Sequence, residues 1–269
     1  MPKYISSLQN PAIKKILLLQ EKSRTRKKEA LFVIEGFREL MLAQKSGYAL
    51  TEIYFCPEII ASEKLTGFQK IEKTEITAEV YRKIAYRGGT EGIIGIAKIK
   101  NLSLENLRWE TENPFILIAE APEKPGNIGA LLRTADAANL DAVIIADPKT
   151  DLFSPNIVRS SVGGLFTNQV AQANSAEIIT FLKKKGIAIY AAILQESISY
   201  WENDFKNPCA IVLGTEATGL TKIWRQHADQ KIHIPMSGQI DSMNVSVAAG
   251  ILIFEAKRQR TLLESKKKD

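Results

Sequence analysis

The stretch FILIAEAPEKPGNIGALLRTADA (Phe115–Ala137) joins a continuous apolar run to a loop that contains glycines and then to a helix. The run Phe115–Ala119 predicts a strand covered on both faces, as in parallel sheets. Pro125 and the glycines after it are typical of a tight strand-to-helix turn. With a helix predicted over Ile128–Ala138 and a strand over Ala142–Ala146, the stretch indicates a crossover unit of an α/β fold.

The alternation of strands and helices continues through the second half of the chain. Further strands are predicted at Gln169–Ala173, Ala188–Ile193, Ala210–Leu213 and Lys231–Ile234, and further helices at Pro155–Leu165, Ala176–Lys185, Lys222–Gln226 and Asn244–Arg260. This order favours a mostly parallel sheet covered by helices. The last helix is apolar on two sides, with Leu252 on one and Val247 and Phe254 on the other. Such a helix packs between layers or against a second subunit.

A smaller α/β domain is predicted in the first half, because a chain of 269 residues suggests two domains at roughly 150 residues each. Its strands are predicted at Leu31–Glu35, Ile53–Phe55 and Gly92–Ile99, and its helices at Asn10–Glu21, Phe37–Lys45 and Ala78–Ala85. The polar stretch Lys100–Asn113 is typical of a linker. We therefore predict one domain over residues 1–107 and a second over residues 108–269.

The composition excludes several classes of protein. With 45% apolar and 25% charged residues, the chain is neither disordered nor collagenous nor held together by disulfides. No apolar run reaches the roughly 18 residues of a membrane span, and the charged N-terminus lacks an apolar signal core, so a cytoplasmic protein is expected. Cys56 and Cys209 are expected to be reduced core residues. His227 and His233 are the only histidines, which leaves few candidate residues for a zinc site or a catalytic triad, and no metal is expected.

The net charge of +6 permits binding to a polyanion, and the basic residues are clustered. The clusters lie at Lys22–Lys28, at Arg82–Arg87 and at Lys257–Lys268. Each is also compatible with an ordinary solvated surface. Three clusters spread over both halves favour nucleic acid as a partner.

Three loops are candidates for holding a small molecule. The first, Pro125–Gly129, opens a helix that carries Arg133, whose planar guanidinium suits a phosphate or a carboxylate. The second, Gly214–Thr221, has nearly the spacing of a phosphate-binding P-loop. Leu220 replaces the lysine of that motif and Glu216 adds a negative charge, so the loop favours a neutral or cationic ligand. Tight turns with solvent-facing side chains are the alternative for both loops.

The third loop runs from Ile234 to Gly238 and leads through Asp241–Asn244 into the last helix. Ser242 or Asn244 is also a candidate N-cap of that helix. All three loops follow predicted strands, and ligands of α/β sheets bind at the carboxyl ends of strands. We therefore expect the three loops to form one site.

The sequence resembles the SpoU (TrmH-type) branch of the SPOUT RNA 2′-O-ribose methyltransferases. Three motifs carry the resemblance: NIG with RTADA (from Asn127 and Arg133), GTE with GL (from Gly214), and IPM with SMNVSVA (from Ile234 and Ser242). Ala217, Met243 and Asn139 depart from the residues usual in the family, and Asn139 is a mild departure because asparagine tolerates positive φ. The segments Phe32–Gly36 and Gly92–Ile96 resemble the family's ribosomal-protein-like RNA-binding domain.

The resemblance implies a trefoil knot in the second domain, a homodimer, S-adenosylmethionine as the cofactor, and tRNA or rRNA as the substrate, with rRNA favoured. The residues it implies for cofactor binding are Leu213, Gly214, Ile234, Met236, Met243 and Ser246. Those it implies for catalysis are Arg133, Asn127, Glu216, Ser242 and Asn244. Because a guanidinium stays protonated, Arg133 is expected to fix a phosphate and stabilise charge on the 2′-oxygen, not to act as the base.

Three other interpretations stay open at this point. The chain is also compatible with an RNA-binding protein of the same fold that has lost catalysis, although Arg133, Glu216 and Asn244 argue against that. A nicotinamide-dependent dehydrogenase is a second alternative, but the first loop lacks the full G-x-G-x-x-G pattern. A related enzyme that methylates a base is the third.

Overall fold

The structure is a computed structural model that describes residues 3–86, 91–215, 218–240 and 242–265. The chain forms two compact units. The first unit consists of Met1–Lys100 together with Asp151–Thr167, and the second consists of Asn101–Thr150 together with Asn168–Asp269.

The strands and helices alternate along most of the chain. The strands are β1 (Lys3–Ile5), β2 (Leu31–Glu35), β3 (Leu50–Phe55), β4 (Glu72–Ile76), β5 (Ile93–Lys98), β6 (Phe115–Glu120), β7 (Ala142–Ala146), β8 (Val170–Ala173), β9 (Ala188–Ala192), β10 (Ile198–Ser199), β11 (Cys209–Leu213) and β12 (Gln230–His233). The helices are α1 (Pro11–Glu21), α2 (Ser23–Glu29), α3 (Phe37–Lys45), α4 (Ala78–Ile84), α5 (Pro125–Ala137), α6 (Pro155–Ser160), α7 (Gly164–Thr167), α8 (Ser175–Lys184), α9 (Lys222–His227) and α10 (Val245–Ser265). Short 3₁₀ helices lie at Ser62–Phe68, Leu104–Asn106 and Tyr200–Glu202.

The second unit is built on a parallel sheet with the strand order β10-β12-β9-β11-β6-β7-β8. Every pair of neighbouring strands in it runs parallel. The central strands β6, β7 and β11 are buried along their whole length, because helices cover both faces. The predicted α/β class, with a mostly parallel sheet covered by helices, is confirmed, and the trefoil knot stays a prediction.

The strand order creates a switch point between β6 and β11. From β6 the chain passes through α5 to β7 on one side, whereas from β11 it passes through α9 towards β12 on the other side. Connections that leave in opposite directions open a crevice at the carboxyl ends of the two strands, where ligands of α/β sheets bind. The first and second predicted loops both begin at this edge.

Helix α10 has one covered and one uncovered apolar side. Ala249, Leu252 and Ile253 are fully buried, and α10 packs against α5. Val247 and Phe254 remain 54% and 52% exposed. The second unit alone therefore accounts for only one of the two apolar sides predicted from the sequence.

The first unit has a mixed sheet with the order β1-β4-β3-β5-β2. Strands β1 and β4 were not predicted from the sequence. Strand β4 has the sequence EKTEI, whose charged residues gave no strand signal, although Thr74 and Ile76 are buried. It lies between β1 and β3, and its pairing with these two strands supplies its hydrogen bonds. Tertiary context therefore decides this strand, as is common for β structure.

Two predictions about segments between the elements were wrong. The helix predicted over Pro155–Leu165 is interrupted, because Val162 and Gly163 adopt positive φ angles of 51° and 92° between α6 and α7. The stretch predicted as a linker packs on the second unit, where Leu107 is buried and the carbonyl of Leu102 accepts a hydrogen bond from the Gln172 amide. The division after residue 107 stays a prediction about domains.

A buried ion pair holds the segment Asp151–Thr167 in the first unit. Nε of Arg26 donates to Asp151 at 2.7 Å, and Nη1 of Arg26 donates to the carbonyl of Leu19 at 2.6 Å. Arg26 is 3% exposed, so this member of the basic cluster Lys22–Lys28 is structural, whereas Lys22, Arg24, Lys27 and Lys28 are exposed.

Other expectations are met within the described residues. Cys56 and Cys209 are free and buried, and burial raises the pKa of the Cys209 thiol to about 11. Asn139, two residues after the end of α5, adopts a left-handed conformation with a φ of 49°, which asparagine tolerates. None of the helices in this part of the chain combines the length and the apolar character needed to cross a membrane.

Candidate functional site

A cavity of about 440 Å³ opens at the carboxyl edge of the second unit's sheet. This volume lies within the range of roughly 300–1,000 Å³ typical of small-molecule sites. The predicted site residues that line it are Leu213, Gly214, Ile234, Met236, Ser242 and Met243. The second and third loops therefore meet in one cavity, whereas the first loop, which the sequence analysis grouped with them, does not line it.

The second loop is closed by short contacts across its ends. The amide of Gly219 donates to the carbonyl of Thr215 at 3.0 Å, and the Thr218 amide donates to Oγ1 of Thr215 at 3.1 Å. Gly219 has a φ of 64°, a conformation that glycine adopts without strain. Glu216, predicted to act in catalysis, lies outside the described residues together with Ala217.

Gly214 requires the absence of a side chain. A Cβ atom at this position would lie within 3.0 Å of the backbone of Gly219 and of the amide nitrogen of Leu220. The entrance and the exit of the second loop are therefore in direct backbone contact, and this contact shapes the wall of the cavity.

Asn244 joins the third loop to the first. Its Nδ2 donates to Oδ1 of Asn127 at 3.1 Å, which links the starts of α10 and α5. Oδ1 of Asn244 accepts from the amide and the hydroxyl of Ser246 at 2.9 and 2.6 Å, so Asn244 also caps α10. Asn127, Asn244 and Ser246 form this cluster and do not line the cavity. The cofactor role predicted for Ser246 stays a prediction.

Arg133 projects from the middle of α5 and is exposed. It forms no hydrogen bond or ion pair with the residues that the structure describes and does not line the cavity. Side chains on a helix lean towards its N-terminus, over the residues three and four positions earlier. Those residues are Ala130 and Gly129, which carry little or no side chain.

Glu120, a buried carboxylate at the end of β6, was not among the residues predicted from the sequence. It is 2% exposed and accepts hydrogen bonds from the amide of Thr221 at 2.8 Å and from its hydroxyl at 2.5 Å. Ser175 lies beside it and accepts from Nε1 of the buried Trp224 at 2.8 Å. This network fixes the exit of the second loop and the start of α9. A charged residue that ends an apolar strand was the available signal.

The cavity also has walls that no motif pointed to. They come from the segment after β9 (Ile193–Gln195), from Arg225 on α9 and from His233 at the end of β12. Strand β9 lies between β11 and β12 and runs parallel to both, so its carboxyl end lies at the same edge of the sheet. This strand order would have pointed to the segment after β9 as part of the site. No carboxylate lines the cavity among the described residues. Nor do these residues contain a group of three or more His, Cys, Asp and Glu side chains that could hold a metal ion.

Comparison with known proteins matches both halves of the chain to family models. The SpoU rRNA Methylase family model matches residues 114–254, and the MRM3-like substrate binding domain model matches residues 10–95. The chain is 31% identical to the 23S rRNA (guanosine(2553)-2′-O)-methyltransferase RlmP of Bacillus subtilis over 256 residues, which cover 95% of this chain and 99% of that protein.

Two solved structures share this fold along nearly the whole chain. An RNA 2′-O ribose methyltransferase superposes with a TM-score of 0.82 at 34% identity, covering 96% of this chain and 99% of its own. An AdoMet-bound rRNA methyltransferase from Sinorhizobium meliloti superposes with a TM-score of 0.87 at 28% identity, covering 95% and 97%. The first, second and third loops all lie within the segment that the SpoU model matches. The chain therefore belongs to the SpoU rRNA methylase family.

Proposed function

We propose that the protein transfers the methyl group of S-adenosylmethionine to a ribose 2′-hydroxyl of ribosomal RNA. The observation that carries this proposal is the convergence of the second and third loops on one cavity, whose lining residue Met243 directly precedes Asn244, the hydrogen-bond partner of Asn127. The full-length similarity to RlmP, which is named as a 23S rRNA 2′-O-methyltransferase, favours rRNA over tRNA.

The residues of the cavity fit the cofactor. Leu213, Ile234 and Met243 offer apolar walls that suit the adenine ring of the cofactor. The backbone N–H and C=O groups around Gly214 offer hydrogen-bond partners to the edge of that ring. The absence of carboxylates from the described lining also suits a ligand with its own carboxylate. When bound, the cofactor supplies an electrophilic methyl group on a sulfonium. The role of the chain is to hold the acceptor ribose in line with that methyl group.

Arg133 would bind the phosphate next to the target nucleotide and stabilise negative charge developing on the 2′-oxygen. The phosphate or a water molecule would accept the proton, because the guanidinium pKa, above about 12, excludes it as a base at neutral pH. Asn127 and Asn244 would position the nucleotide through hydrogen bonds, with Ser242 beside the cofactor. We retain Glu216 as the residue that orients the second loop or the nucleotide.

A transcript that lacks a single 2′-hydroxyl tests the proposed reaction. The target is first mapped by comparing ribose methylation in rRNA from strains with and without the gene. We expect the matching all-ribose transcript to accept labelled methyl groups and the transcript with one 2′-deoxy nucleotide at the target to accept none. Equal labelling of both would mean base methylation, and labelling of neither by a protein that binds both would favour the non-catalytic alternative.

We propose that the first unit binds the RNA substrate and that the protein acts in the cytoplasm. The match to a substrate binding domain supports this assignment. Exposed cations on α2 and α4 supply the positive charge that phosphates attract: Arg24, Lys27, Lys28, Arg82 and Lys83. Arg87 and Lys266–Lys268, two other parts of the predicted basic clusters, lie outside the described residues.

We also propose a homodimer formed through the uncovered side of α10. Val247 and Phe254 are seven residues apart, so they lie on the same side of the helix, and both are more than half exposed. Phe254→Glu is expected to change the mass measured by light scattering from two chains to one. The control Leu18→Glu alters an exposed apolar residue of α1 and should leave the dimer intact. A wild-type protein of one chain would contradict the dimer.

A further inference from the structure

Arg225 is a positively charged wall of the cavity that the proposed chemistry has not used. Its Nε donates to the carbonyl of Leu220 at 3.0 Å, which orients the planar guanidinium beside the exit of the second loop. Its Nη2 lies 4.0 Å from the position of a Cβ atom built on Gly219. Leu220, Gly219 and Arg225 all line the cavity. The guanidinium therefore lies against the same backbone that shapes the cavity wall.

Helix α9, which carries Arg225, is anchored on both sides of this residue. Trp224 is fully buried and donates from Nε1 to Ser175, and Thr221 donates twice to the buried Glu120. A cation held on a fixed helix binds an anion without a large loss of side-chain freedom. The position of Arg225 is thus set before a ligand arrives.

The described residues around the cavity leave Arg225 available to an anion. Among the described residues it forms no ion pair, and no carboxylate lines the cavity beside it. The other titratable group of the described lining is His233, whose Nδ1 is already hydrogen-bonded to Oγ of Ser197 at 2.9 Å. Nη1 and Nη2 of Arg225 present the paired donors that match a carboxylate.

We propose that Arg225 binds the α-carboxylate of the cofactor's amino-acid portion. This inference rests on the proposed function, which makes S-adenosylmethionine the ligand of the cavity. The carboxylate is the only anionic group of that molecule, and the guanidinium is the permanent cation of the described lining. Arg225 is a binding and specificity residue in this assignment, because it selects nucleosides that carry the carboxylate over those that lack it.

Binding of two ligands that differ only in the carboxylate tests this assignment without turnover. S-adenosylhomocysteine contains the carboxylate, and S-adenosyl-3-thiopropylamine is the same molecule without it. Titration calorimetry on the full chain compares Arg225→Met and Arg225→Lys with the wild type. Lys222→Met is the matched control, since Lys222 lies on the same helix, is exposed and does not line the cavity.

We expect Arg225→Met to weaken S-adenosylhomocysteine binding by roughly 10- to 100-fold, the loss typical of a charge-assisted hydrogen bond, and to leave the decarboxylated ligand within about twofold. Arg225→Lys should recover part of the loss, because lysine restores the charge but not the paired donors. Lys222→Met should bind both ligands like the wild type.

Two results would overturn the assignment, and a third would overturn the proposed function instead. Equal weakening of both ligands by Arg225→Met would make the residue a support for the second loop through its bond to Leu220. Unchanged binding of both would place the guanidinium outside the ligand's reach, and an accompanying loss of RNA affinity would assign it to the substrate. If the wild type binds neither ligand, the proposed function fails instead, so the two failures are distinguishable.

Discussion

Arg133→Ala is expected to lower methyl transfer by about 10³-fold, in the range that loss of an oxyanion donor causes. The affinity for S-adenosylhomocysteine should stay within about twofold of the wild type, because Arg133 does not line the cavity. Single-turnover transfer of labelled methyl groups measures the first quantity, and calorimetry measures the second. The separation of the two effects is the signature of a group that acts on the RNA and not on the cofactor.

The physical reason lies in where charge develops. As the 2′-oxygen gives up its proton, negative charge would develop on that oxygen, next to a phosphate that already carries a negative charge. A guanidinium that remains protonated throughout stabilises both without being consumed. The side chain of Arg133 is available for this role, since it is exposed and makes no hydrogen bond or ion pair with the described residues.

Two further variants bound the interpretation. Arg133→Lys should restore only part of the rate, because an ammonium keeps the charge but lacks the planar pair of donors. Lys183→Ala removes an exposed cation from α8 in the same unit and should leave the rate unchanged. Near-normal turnover of Arg133→Ala would exclude this residue from the chemistry. A parallel loss of cofactor affinity would mean that α5 shapes the cavity.

The site was predictable from the sequence to the extent that its residues lie in short local motifs. Leu213 ends β11, and Gly214 and Ile234 directly follow β11 and β12, so the carboxyl edge of the parallel sheet brings these positions together. Arg225 was not predictable in this way, because its place in the cavity wall depends on the position of α9 and on the hydrogen bond from its Nε to the carbonyl of Leu220. Glu120 likewise gains its partner, Thr221, only through the adjacency of β6 and β11.

The fold was predictable where a continuous apolar run marks a buried strand, as for β6, β7 and β11. It was not predictable at β4, whose charged sequence is stabilised by neighbours distant in sequence. The break between α6 and α7 has the same origin. Val162 adopts a positive φ although it is β-branched, which local preference opposes and only the surrounding packing enforces. The resemblance, and not periodicity, pointed to the family.

Gly214→Ala is expected to weaken S-adenosylhomocysteine binding by about 100-fold, near the upper end of the cost of overpacking. The added Cβ atom would lie within 3.0 Å of three backbone atoms of Gly219 and Leu220. No side-chain rotation relieves a clash with backbone, so the ends of the second loop must separate. The bond from the Gly219 amide to Thr215 would lengthen, and Leu220 would move in the cavity wall.

Gly238→Ala is the matched control for this substitution. Gly238 lies in the third loop, outside the cavity lining, and a Cβ atom there would meet nothing within 4 Å. Its binding of S-adenosylhomocysteine should match the wild type. Calorimetry gives the affinities, and circular dichroism at the same temperature establishes that both variants are folded. Wild-type affinity in a folded Gly214→Ala protein would mean that the cofactor does not depend on the close approach of Gly214 and Gly219, and that the cavity described here is not its site.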